Sequence, residues 1–138
     1  MLKRSVLTVA ALAVSAGVFA QNMMGPFDPE YKAPAYSDIH KGDGAMTPQE
    51  YMDYVGRSWK DLGGKSIDKS NARYSDYQKS PRFQMMDTNH DGSISEEEYR
   101  NFYQDAWKSA NTQSMMQQDY DKWLQNKDNP LSPTFKKN

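Results

Sequence analysis

The chain has 138 residues, a formal net charge of −1 and no cysteine. That excludes a disulfide-stapled scaffold, a thiol nucleophile and a lipid-modified cysteine. Its basic residues are scattered singly, so the extended positive face of a nucleic-acid binder is missing.

Lys3 and Arg4 precede an apolar run from Val6 to Phe19, and Val18-Phe19-Ala20 ends on a small residue. This pattern predicts a secretory signal over residues 1–20, cut after Ala20, for a periplasmic or secreted protein. The run is too short to span a bilayer, so no membrane span is expected once it is removed. The remainder is about one domain's worth of chain. Its nine tyrosines, three tryptophans and five phenylalanines predict a core built on aromatic packing.

Residues 21–37 hold three prolines and no clear period, which predicts an extended, mobile N-terminal segment. Next, Tyr51, Tyr54, Val55, Trp59 and Leu62 recur at helical intervals. Thr47 caps that helix, Pro48 suits its first turn, and Glu50 completes a capping box. Gly63-Gly64 and several serines then mark a linker to residue 80, with one short helix around Asn71 to Lys79. Ser80-Pro81 starts another helix, with Phe83 and Met86 on its inner face.

Residues 87–98 read Asp-Thr-Asn-His-Asp-Gly-Ser-Ile-Ser-Glu-Glu-Glu. A hard cation such as Ca2+ takes six to eight oxygens, and a twelve-residue loop supplies them when short acidic side chains come first and a long one last. Asp87, Asn89 and Asp91 are the short ones. Ser93 offers its backbone carbonyl, Ser95 a bridging water, and Glu98 both carboxylate oxygens from the helix that follows. Gly92 permits the sharp reversal between them. The segment resembles the EF-hand family, and the resemblance implies a metal site at Asp87, Asn89, Asp91, Ser93, Ser95 and Glu98.

A shift of 48 residues aligns Asp43 to Tyr51 with Asp91 to Tyr99, and Trp59-Lys60 with Trp107-Lys108. Tyr99, Phe102, Tyr103, Ala106 and Trp107 carry a second helical stripe. The resemblance therefore implies an all-α fold with paired EF-hands over 38–110, a degenerate hand at 38–62 and a complete one at 80–109. In the family, such hands join through a short antiparallel bridge, here expected between Met46 and Ile94. Counting back from Glu50 puts Ile39 and Lys41 where oxygens belong, leaving Asp43, Thr47 and Glu50. The first loop is thus expected to be a structural partner; a second Ca2+ site within 38–50 requires Asp38 as first ligand in a loop one residue longer.

Beyond Asn111, residues 111–138 are expected to form a C-terminal helix and tail, with Met116, Tyr120, Trp123 and Leu124 on one side. That stripe either packs permanently on the hands or occupies a groove that calcium opens for an external helix. Paired methionines at 23–24, 85–86 and 115–116 fit gap-filling near such a groove better than copper binding. His40 and His90 are expected at the surface. The acidic cluster is committed to the loop and no nucleophile motif is present, so no enzyme is expected. The functional expectation is Ca2+ binding by an exported sensor whose aromatic and methionine-rich surface changes toward a protein partner. The alternative is a buffer or calcium-stabilised structural protein without switching.

Overall fold

A computed structural model describes residues 25–135; the signal expected over residues 1–20 lies outside the described residues. Among the described residues six helices follow in order: α1 Tyr36–Ile39, α2 Pro48–Asp61, α3 Tyr74–Tyr77, α4 Pro81–Met86, α5 Glu96–Ser109 and α6 Gln117–Gln125. Among the described residues there is no β-strand beyond two isolated bridges, and no helix is long and apolar enough to cross a membrane.

Local chemistry sets the long helices. The Thr47 hydroxyl accepts from the Glu50 N–H at 3.2 Å, and a Glu50 oxygen accepts from the Thr47 N–H at 3.0 Å. Ser95 and Glu98 repeat that reciprocal cap at 3.1 and 3.0 Å. Ser80 caps α4 through the Arg82 N–H, with Pro81 as first helical residue. Helix α2 ends at Gly63 and Gly64, both at positive φ, a conformation that glycine adopts at little cost.

The short helix expected over Asn71 to Lys79 contracts to α3. The Asp68 carboxylate captures the Ser70 N–H ahead of it and the Asn71 side-chain Oδ1 captures the Arg73 N–H, so a side-chain turn replaces the first helical turn.

The expected bridge between Met46 and Ile94 does not form. Met46 pairs instead with Met115, and Ile94 with Ile67, both antiparallel. The physical reason is that each repeat carries two bridge residues flanking its long helix. The shift that takes Met46 to Ile94 also takes Ile67 to Met115, and the two units pair crosswise. Single bridge residues satisfy both N–H and C=O at 2.7 to 3.0 Å, joining loops that lie far apart in the chain.

Helix α2 packs on α5, α4 on α5, and α1 on both α2 and α6. The core is aromatic as expected. Tyr51 meets Trp107 at 5.0 Å and Trp123 at 5.8 Å between ring centroids. Trp59 meets Tyr99 at 5.0 Å, and Tyr99 meets Tyr103 at 5.1 Å. Helix α6 belongs to this core through Tyr120 and Trp123, but Met116 is 49% exposed while Met115 is buried. The expected stripe holds at Tyr120, Trp123 and the partly buried Leu124 and fails only at Met116, which stands at the N-cap position ahead of the first helical residue, while the preceding Met115 takes the buried place as the bridge residue.

Residues 25–31, expected to be extended, instead form two turns, with the Asp28 N–H on the Gly25 carbonyl and the Tyr31 N–H on the Asp28 carbonyl. Phe27 is fully buried, 4.7 Å from the Tyr77 ring and 6.0 Å from Phe83. Arg82 ties both ends of the described chain to α4. Its guanidinium donates to the carbonyls of Pro26 at 3.1 Å and Ser132 at 2.6 Å, and to that of Pro130.

Deep in the core, the Ser58 hydroxyl and the Tyr99 hydroxyl lie 2.6 Å apart. Ser58→Ala should lower stability by about 1–2 kcal/mol in denaturant unfolding, because it leaves a buried phenol short of a partner. A loss below measurement error would contradict that bond. Burial pushes the Tyr99 phenol up to about 12, against opposing bonds from Ser58 and Tyr103. A raised phenol favours the neutral native form, so its stabilisation is complete below pH 10 and lost as pH rises through about 12.

Candidate metal centre

The complete loop runs from the end of α4 to the first turn of α5. Asp87 caps the end of α4 and is buried, as is Glu98 in the first turn of α5. His90 and Gly92 take positive φ of 58° and 85°, which turns the chain back on itself. The backbone then wraps around the acidic groups. The Gly92 N–H donates to Asp87 at 2.9 Å, the Asp91 N–H to Asp87 at 3.2 Å, and the Ser93 N–H to Asp91 at 2.9 Å.

Glu98 reaches back across the loop. Its Oε2 accepts from the Thr88 hydroxyl at 3.3 Å and the Asn89 N–H at 3.4 Å, while Oε1 accepts from Ser95. Asp87, Asp91 and Glu98 thereby bring carboxylate oxygens within 4.8 Å of one another. Among the described residues, no Lys, Arg or His forms a salt bridge with any of the three. Two buried carboxylates and a third beside them repel strongly at such range unless a cation lies between them. Hard oxygen donors on a flexible loop suit Ca2+. The Ser93 N–H holds the Asp91 carboxyl below the usual carboxylate range, against the opposing effect of desolvation.

Of the six residues predicted as ligands, Asp87, Asp91 and Glu98 converge. Around them, Asn89 Oδ1 accepts from the Asp91 N–H at 3.2 Å, Ser93 Oγ lies 3.2 Å from Asp91, and Ser95 caps Glu98.

The first loop is built differently. His40, expected at the surface, is buried, and its Nδ1 lies 3.0 and 2.9 Å from the two oxygens of Glu50. Asp38 accepts from the Ala35 N–H at 3.0 Å, and Lys41 donates to the Ser37 carbonyl at 2.6 Å. An imidazole thus meets the carboxylate that closes the loop, and Asp38 is turned to capping α1. The Thr47 N–H, and then His40, hold the Glu50 carboxyl below its ordinary value of 4.5. A depressed carboxyl contributes stability that is complete above its unfolded value and lost as pH falls through its lower native one. NMR titration of the Glu50 side-chain carbon should therefore give a midpoint below 4.5, and a midpoint at or above that value would contradict the contact.

Two partners of the complete loop lie in the segment read as linker. Ile67 bonds Ile94 in both directions at 2.9 and 3.0 Å, and the Tyr74 hydroxyl donates to the Gly92 carbonyl. The signal that could have found Ile67 was present, since the same shift that relates the helices relates Ile67 to Met115. Ser114 to Tyr120 also echoes Ser93 to Tyr99, with Asp119 accepting from the Met116 N–H at 3.0 Å as Glu98 does from Ser95.

No curated protein and no solved structure matches this chain. A sequence model of the family described as EF hand matches residues 80–103, and with the acidic cluster it supports an EF-hand that binds calcium at this loop.

Proposed function

We propose that the protein binds one Ca2+ at residues 87–98, through the carboxylates of Asp87, Asp91 and Glu98 with oxygens from Asn89, Ser93 and Ser95, and acts as an exported binding protein rather than an enzyme. The observation that carries this reading is the convergence of three carboxylates on one loop with no Lys, Arg or His among the described residues in a salt bridge to them. Bound there, the ion neutralises the cluster and ties Glu98, and with it α5, to the loop entered from α4. Export is supported by the pattern of residues 1–20, which fits a site in the periplasm or outside the cell.

Two roles divide this reading. The sensor role is supported by a groove of about 270 Å³ beside Glu98, whose lining includes Met85, Phe102, Ala106 and Pro130 and suits an apolar segment of a protein partner. The buffer or structural role is favoured by Glu98, which already bonds Thr88 and Asn89 across the loop and leaves little distance for the ion to close. An apolar-surface dye separates them. Stronger dye binding in calcium than in chelator supports the sensor, whereas equal binding supports the structural role.

A further inference from the structure

We infer that Tyr74 is a positioning residue of the metal loop, acting through the Gly92–Ser93 peptide on the carboxylate of Asp91; the inference rests on the calcium reading of residues 87–98. The peptide unit is rigid and planar, so fixing its carbonyl fixes the N–H at its other end. Here the carbonyl end of that unit, Gly92 O, accepts from the Tyr74 hydroxyl. Its N–H end, on Ser93, donates to Asp91 Oδ1 at 2.9 Å. One phenol therefore sets the tilt of the plane that aims a ligand carboxylate.

The phenol is itself held. The Tyr74 ring stands edge-on to Phe83 of α4, with 5.7 Å between centroids. A Cβ built on Gly92 would come within 3.4 Å of the hydroxyl, and the positive φ of 85° independently disfavours a side chain there. Two residues along the chain, Ile94 is clasped by Ile67 from the same stretch of sequence. The stretch from Ile67 to Tyr77 thus grips the loop on both sides of Ser93. Gly92 is the position at which a glycine backbone is needed for the reversal, and a flexible backbone there gains most from an external clamp.

Tyr74→Phe tests this, since it keeps the ring on Phe83 and removes only the hydroxyl. Calcium affinity should fall about 3- to 10-fold, the scale of one lost hydrogen bond, and the Ser93 amide should exchange faster in chelator. The double variant with Asp91→Ala, which removes the oxygen that the Ser93 N–H meets, distinguishes positioning from general support. If Tyr74 acts through Asp91, the tyrosine substitution has no further effect on affinity in that background, whereas an undiminished effect there would overturn the inference. Unchanged affinity and Ser93 exchange in Tyr74→Phe, with calcium binding intact in the unsubstituted protein, would also overturn it. Absence of calcium binding in the unsubstituted protein would instead remove the reading of the loop, and the metal role of Tyr74 with it.

Discussion

Glu98→Gln should weaken calcium binding by about a hundredfold, roughly 2.7 kcal/mol. The amide keeps the length of the side chain and can still serve the Ser95 cap, as glutamine does at this position of a capping box. What it loses is one charge and one of two equivalent acceptor oxygens, the pair that meets Ser95 on one side and Thr88 and Asn89 on the other. Calorimetric titration of both proteins reads the loss, and circular dichroism in chelator should show the same helix content. Glu50→Gln is the matched control. Glu50 stands at the corresponding place of the first repeat, but its oxygens meet His40 and Thr47, so its substitution should leave calcium affinity within twofold. Equal losses from the two substitutions would contradict the assignment of the site.

Phe27→Ala should destabilise the protein by about 3–5 kcal/mol, the usual cost of emptying a buried phenylalanine site. Single domains have about 5–15 kcal/mol in all, so a large share of the stability is at stake. The ring is fully buried and meets Tyr77, Phe83 and Tyr99 at centroid distances of 4.7 to 6.4 Å. It thereby links the N-terminal turns to α3, α4 and α5 at once. Because Phe83 and Tyr99 flank the metal loop in sequence, the loss should also raise the amount of calcium needed to restore a given melting temperature. A loss under 1 kcal/mol in denaturant unfolding would mean that residues 25–31 do not pack as described.

The metal loop was legible because its chemistry is local. Every demand of the ion falls on a fixed position within twelve consecutive residues, and Asp87, Asp91 and Glu98 meet those demands in the sequence before any tertiary contact is considered. The caps of α2 and α5 were legible for the same reason, since Thr47 with Glu50 and Ser95 with Glu98 act across three residues. The crosswise pairing was harder to see. Ile67 and Met115 contribute one bridge residue each, and a single residue leaves no periodicity to read. Family resemblance supplied a simpler pairing of Met46 with Ile94, and nothing in their own flanks opposed it.

Phe27 escaped notice because it sits among prolines, where no stripe identifies an inward face. The residue before it is held by Arg82, whose bonds to the Pro26 and Ser132 carbonyls gather the two ends of the described chain onto α4. The burial of His40 is not legible locally, because in the sequence Glu50 reads as a capping-box residue or a loop-closing ligand and not as the partner of an imidazole ten residues earlier. An imidazole that meets both oxygens of that carboxylate is a third solution, visible only when the loop is folded. Helical phase places Tyr120, Trp123 and Leu124 correctly but does not extend to Met116, which stands at the N-cap where the Met115 bridge to Met46 takes the buried place.

Calorimetric titration of calcium into chelator-treated protein, with magnesium as control, bears most directly on the site at residues 87–98. One site per chain is expected, selective for calcium and lost in Glu98→Gln. No binding, or a second site that survives the Glu98 substitution, would contradict a single calcium centre at this loop.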